Sequence, residues 1–201
     1  MITVLTSQTR HSLASVIAGS GYSLNVPKYL GWGTGAGNAS ATDIALFNPV
    51  GSPVSGTVSV ITTTTSGDTF LFSTTVTPSG ATGITNVGLF DSNSSPAVGS
   101  LSNQVNPTDT TITVSGYNLF PNAFPFNIQV LNEVMTVTSG NGTNIYNVIR
   151  GANGSSIVTE IIPSLTPVVG PAGNIFIKSS FSSIGLQSGD SIKFNVSIQF
   201  I

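Results

Sequence analysis

Ile192-Lys193-Phe194-Asn195-Val196-Ser197-Ile198-Gln199-Phe200 alternates apolar and polar side chains without a break. Successive residues of a strand point to opposite faces, so this stretch reads as a half-buried β-strand. Ile192, Phe194, Val196, Ile198 and Phe200 form its core side. Ser188-Gly189-Asp190 before it is a turn, and residues 174–181 read as another strand, with Ile175, Ile177 and Ser179 on one face. The same period runs through residues 54–64 (Val54, Val58 and Val60 among Ser and Thr) and 69–77 (Phe70, Phe72, Val76). Ser66-Gly67-Asp68 joins those two as a hairpin turn. After Pro78 and Gly80, residues 83–90 read as a third strand that ends in a turn at Asp91-Ser92-Asn93.

Toward the start the period changes. Leu13, Val16 and Ile17 lie at i, i+3 and i+4, which predicts a helix over about residues 7–18. Thr6 or Ser7 caps it, Gly19 and Gly21 end it, and Arg10 and His11 lie away from its apolar stripe. A glycine-rich run follows, Tyr29-Leu30-Gly31-Trp32-Gly33-Thr34-Gly35-Ala36-Gly37, read as a short strand leaving through a loop.

From about Val98 the character changes again. Residues 110–115, 126–131, 134–138 and 144–149 read as strands, with turns at Pro107-Thr108-Asp109, Asn132-Glu133 and Gly140-Asn141-Gly142. Phe120, Phe124 and Phe126 cluster around Pro121 and Pro125, and Arg150-Gly151-Ala152-Asn153-Gly154 is a tight loop. Residues 157–162 are apolar enough for a strand, and Pro163, Pro167, Gly170, Pro171 and Gly173 mark a linker. The resulting parse is an all-β chain: an outer β-sandwich (jelly-roll-like) domain of residues 1–97 plus 172–201, opened by one helix, with a small β domain of residues 98–171 inserted. Insertions are tolerated at exposed turns, and here the strands on either side of the insertion would form one hairpin.

Composition narrows function. The chain is 39% hydrophobic but only 6% charged, with net charge -2, where an ordinary domain is roughly a quarter charged. The five cations, Arg10, Lys28, Arg150, Lys178 and Lys193, are scattered. They form no basic patch for nucleic acid and no polybasic stretch for a membrane. No segment approaches a membrane span, and the first residues lack the pattern of a signal peptide. There is no cysteine, which removes disulfides, thiolate metal sites and thiol catalysis. So weakly charged a surface suits an assembly better than a free monomer.

Several elements carry a resemblance. The opening helix, the 29–37 run, Asp43-Ile44-Ala45-Leu46-Phe47, Val54-Ser55-Gly56-Thr57, the segment Ile84 to Asp91 and the segment Leu186 to Phe194 occur in this order over the outer part. Together they resemble a family of small structural proteins of tailed bacteriophages. The inserted part resembles a second phage module found in virion and tail proteins, through Thr110-Thr111-Ile112-Thr113-Val114, the loop of Phe120 to Phe126, Glu133 to Val137 and Val148 to Gly154. One departure stands out: where the outer family often carries a charged E-x-R-V, this chain has Gly51-Ser52-Pro53-Val54. The resemblance implies a virion component: a capsid-decorating β-sandwich protein, commonly trimeric, or a module of a tail fibre or tailspike.

The chemistry-bearing residues have ordinary readings. Gly31, Gly33 and Gly35 lead into no helix, so a tight turn packed beside Trp32 is preferred to a nucleotide loop. His11 reads as a surface helix residue. Glu133 and Glu160 could in principle flank a glycosidic bond, but Glu133 paired with Arg150 is preferred. Asp91, Asn93 and Asp190 could ligate calcium, yet at turns they more often bond their own backbone. Sequons such as Asn141-Gly142-Thr143 carry no weight in a bacterial virus. No catalytic, cofactor-binding or metal residue is assigned, and no cofactor. The expectation is a non-enzymatic virion protein made in the bacterial host cytoplasm, most simply a capsid decoration (cement) protein forming a homotrimer on the major capsid protein. The rival is a receptor-binding module that contacts host glycan or protein, and a depolymerising enzyme comes third.

Overall fold

The computed structural model describes residues 1–20, 25–140, 142 and 144–200. Gly21 as a helix stop, Asn141 in its turn and Thr143 of the sequon lie outside them. Within the described residues β structure dominates. In chain order the elements are β1 (Ile2–Leu5), α1 (Ser7–Ile17), β2 (Tyr29–Gly33), β3 (Val54–Ser55), β4 (Thr57–Ile61), β5 (Thr69–Val76) and β6 (Thr82–Phe90). Then come β7 (Val98–Leu101), β8 (Thr111–Ser115), β9 (Phe126–Val130), β10 (Glu133–Gly140), β11 (Ile145–Ile149), β12 (Pro167–Val169), β13 (Ile175–Leu186) and β14 (Ile192–Gln199).

Three sheets result. One has the order β1-β13-β6-β2-β3, a second the order β14-β5-β4, and the third closes as a barrel, β10-β11-β8-β7-β12-β9. The two open sheets share one apolar cluster. Leu30, Val87, Leu89, Phe176 and Ile177 come from the five-stranded sheet and Phe72 and Val76 from the three-stranded one. In β14 the exposure alternates residue by residue, with Phe194, Val196 and Ile198 packed against that cluster. The chain leaves this region after β6 and returns at β13, and those strands pair antiparallel with Phe90 opposite Ile175. Everything from β7 to β12 lies between them and belongs to the barrel.

The barrel encloses its own core, which includes Leu101, Ile112, Val114, Ile128, Val130, Met135, Val137, Val148 and Val168. Phe120, Phe124, Phe126 and Tyr146 stack edge and face at one end, with ring centroids 5.5–6.5 Å apart. Closure comes from a segment read as linker. Val168 of β12 is hydrogen-bonded between β7 and β9, and the proline stands at the first strand position, where a missing N–H is tolerated. Conversely, residues 157–162 are not a strand; Ile162 makes only an isolated bridge to Val105.

The helix sits where the sequence places it, but turned. Its buried residues are Thr9 and Ser12, while Val16 is 43% and Ile17 87% exposed. The reason lies in β13. Pairing with β6 shifts register between Ile175 and Ile177, which leaves the Phe176 carbonyl without a strand partner. Thr6 N and Thr9 Oγ1 donate to that carbonyl, at 3.1 and 3.0 Å, and Thr6 Oγ1 donates to the Ile175 carbonyl. Thr6 also caps the helix by accepting from Thr9 N. Satisfying buried carbonyls outranks burying an amphipathic stripe.

Candidate functional site

Asp43-Ile44-Ala45-Leu46-Phe47 is neither helix nor strand, yet all five residues are buried. Buried irregular backbone must find partners for its N–H and C=O groups. Here side chains from three elements supply them. Asn86 of β6 accepts from Phe47 N (3.0 Å) and donates to Phe47 O (3.1 Å), in the manner of a neighbouring strand. Gln129 of β9 accepts from Ile44 N and Ala45 N, at 3.0 and 2.9 Å. Lys178 of β13 donates to Ala45 O at 2.7 Å.

The glycine-rich run covers this segment from the other side. An added Cβ at Gly33 would lie 2.3 Å from the Phe47 carbonyl, and one at Gly37 would strike the Phe47 ring. The glycines therefore permit close backbone approach. Trp32 is buried beside them.

At the centre is a charge pair. Lys178 Nζ lies 2.8 Å from Asp43 Oδ2, and both side chains are fully buried. Nζ also sits 3.2 Å from the centroid of the Phe47 ring. The Asp43 carboxylate accepts from Ser40 N at 2.9 Å through Oδ2 and from Gln129 Nε2 at 2.9 Å through Oδ1. Burial pulls the Lys178 pKa down to about 8, against the pull of Asp43 in the opposite direction. Because Gln129 belongs to the barrel, this cluster is also where barrel and open sheets meet. Ile44 and Ala45 pack there against Val134 and Val169.

The residues singled out in the sequence are not brought into one site. Glu133 is fully buried and chelates Arg150, at 2.6 Å to Nε and 2.7 Å to Nη2. It also accepts from Gly151 N and Val158 N. With both its oxygens so engaged, the preferred Glu133–Arg150 pair is what forms; Glu160 is exposed. His11 is exposed on α1. Asp91 accepts from the backbone and side-chain nitrogens of Asn174, at 2.8 and 2.7 Å, and ties the strands that flank the barrel. Asp190 accepts from Gln187 N in its own turn. Among the described residues no group of three or more His, Asp or Glu could hold a metal ion, and no helix is long and apolar enough to cross a membrane.

A recess of about 600 Å³ opens between the two open sheets, lined by residues that include Leu30, Leu89, Ile177, Phe181, Phe194 and Val196 and by no charged side chain. Its lining is mostly apolar, with the polar side chains of Thr3, Ser179, Ser182, Asn195 and Ser197 among it.

The Lys178–Asp43–Gln129 cluster went unread in the sequence. Its signal was a lysine directly after the apolar run Ile175-Phe176-Ile177. Compared with protein-family models, with curated proteins and with solved structures, the chain matches none.

Proposed function

We propose that this chain is a non-enzymatic structural protein of a tailed-phage particle: a capsid decoration (cement) protein that forms a homotrimer on the major capsid protein. The observation that carries this reading is the surface. Of 9816 Å² accessible area, the exposed charged side chains are Arg10, Lys28, Glu160, Asp190 and Lys193 alone. Large apolar side chains stand beside them in solvent, among them Ile17 at 87% and Val60 at 67%. Closed oligomers and shells bury such surface. The segments that carry the phage resemblance also support it, because 29–37, 43–47 and 84–91 pack on one another around Asn86 and Lys178.

In this reading the two open sheets are a jelly-roll-like β-sandwich domain, residues 1–97 plus 172–201, and the barrel is an inserted domain of residues 98–171. The sandwich and α1, with Arg10, His11, Val16 and Ile17, contact the shell and neighbouring subunits, and the barrel projects outward. Reconstruction of the particle tests this arrangement. It is overturned if residues 98–171 press against the shell and the Gly31–Gly37 run faces outward.

A receptor- or glycan-binding module of a tail fibre is the second reading, favoured by aromatic and apolar side chains exposed on one stretch of the barrel: Tyr117 at 39%, Leu119 at 58% and Phe124 at 41%. Binding of the purified protein to host-surface glycans, lost in Tyr117→Ala and Phe124→Ala, would move the assignment there.

A further inference from the structure

We propose that Lys178 and Asp43 condense into an intramolecular isopeptide bond, so that the folded chain is covalently closed through its own side chains. The geometry is that of two reactants held together. Nζ and Oδ2 are 2.8 Å apart, both side chains are wholly out of water, and the Phe47 ring forms an apolar lid 3.2 Å from Nζ. Holding an amine against a carboxyl group in this way removes the entropic part of the barrier that a bimolecular reaction would face. Burial also disfavours the ion pair relative to neutral products.

The step balances without a cofactor. The Lys178 ammonium passes one proton to Asp43 Oδ2 across their hydrogen bond, which leaves a neutral amine and a carboxylic acid. Burial, which brings the lysine pKa down to about 8, makes that transfer less costly. The Nζ lone pair attacks Cγ and the C–N bond forms. Oδ1 takes up the negative charge, and it already accepts a hydrogen bond from Gln129 Nε2 at 2.9 Å, so the developing oxyanion meets a placed donor. Nζ then gives a second proton to Oδ2 as the Cγ–Oδ2 bond breaks, the carbonyl re-forms on Oδ1, and one water leaves.

The product is matched to its surroundings. The amide keeps one N–H, with the Ala45 carbonyl already 2.7 Å from Nζ, and its carbonyl oxygen keeps Gln129 as donor. Two buried charges are replaced by one neutral amide with both polar atoms satisfied. The covalent loop from residue 43 to residue 178 takes in every strand from β3 to β12, the whole barrel included. A chain with no cysteine would gain in this way the staple that secreted and virion proteins often take from disulfides.

Intact mass of the denatured wild-type protein, followed by tryptic mapping, tests this. The expected mass is one water below that of the sequence, with no cleavage after Lys178 and the Asp43 peptide joined to the Lys178 peptide. Lys178→Arg keeps a cation but no amine and should show the full sequence mass. Asp43→Asn should lose one ammonia in place of one water. A wild-type chain of full mass, cleaved by trypsin at Lys178 even after the folded protein is incubated above the lysine pKa, overturns the proposal. So does a water loss that maps to any other residue. The decisive reading is on the wild type, so a variant that fails to fold does not leave the question open.

Discussion

Asp68 occupies the turn between β4 and β5 and gathers the amides of Thr63, Thr64 and Thr65 at 2.8–2.9 Å, together with the hydroxyls of Thr63, Thr64 and Thr69. The Thr65 amide above all, with the neighbouring hydroxyl and amides, holds its carboxyl well below the usual carboxylate range, against the opposing effect of burial. A folded-state pKa below the unfolded value means that the unfolded chain binds more protons. The stabilisation is therefore complete above the unfolded pKa, about 4, and is lost as pH falls below it. Thermal unfolding followed from neutral to strongly acidic pH should show this loss in the wild type. Asp68→Ala should be less stable at neutral pH and show a flatter acid limb, and equal slopes would contradict the assignment. Glu133 makes a sharper case, because Arg150 depends on it inside the protein. Glu133→Gln leaves a nearly buried guanidinium without its counter-charge, a change that costs about 3–5 kcal/mol. Urea unfolding should read that loss, and Glu133→Gln with Arg150→Met together should recover part of it. Of these two carboxylates the sequence allowed the Glu133–Arg150 pair to be foreseen. For Asp68 it showed a turn but not the number of donors.

At the scale of elements, alternation made β4, β8, β11 and β14 legible, because each sets a more buried face against a more exposed one, while β5, β6, β9 and β10 were legible from β-rich composition between turns. The misreadings share one cause: long-range partners that local pattern does not contain. Pro167-Val168-Val169 looks like linker, yet its β-branched pair closes the barrel between β7 and β9. The apolar run 157–162 looks like a strand, but its Val158 amide is taken by Glu133. The Leu13, Val16 and Ile17 stripe looks like the inner face of α1, but the orphan carbonyls at the β13 bulge draw in Thr9 in its place. Because Val16 and Ile17 face solvent, Ile17→Asp should leave stability within about 0.5 kcal/mol of wild type, as surface changes do. Under the proposed function the same substitution should weaken particle attachment; thermal melts beside a particle co-sedimentation assay check both. The barrel should also be removable. Phe90 and Ile175 already pair, so a short turn in place of residues 98–171 should leave a soluble β protein. It should be less stable than the parent, since Ile44 and Ala45 lose Gln129, Val134 and Val169. Circular dichroism and denaturation of the shortened chain decide this, and an insoluble product from a soluble parent would contradict a separable barrel.

The molecule as a whole joins a closed barrel to two open sheets through the buried Asp43–Phe47 segment, under a surface almost bare of charge. Neither the barrel closure nor the junction was legible in the sequence, since Asn86, Gln129 and Lys178 come from three distant strands. The low charge was legible from the start, and the structure sharpens it, because Asp43, Asp68, Glu133 and Lys178 are withdrawn from the surface. A free monomer of this kind is prone to associate, and closed symmetry is the usual outcome. Sedimentation at micromolar concentration should accordingly give a homo-oligomer, with a trimer expected, and a monomer there would count against self-association in solution. The proposed role as a shell component is tested most directly by the number of copies of this chain in purified phage particles, counted by quantitative mass spectrometry against the major capsid protein. Hundreds of copies per particle are predicted. A few to a few dozen copies would place the chain in the tail, and its absence from the particles would contradict the structural assignment altogether.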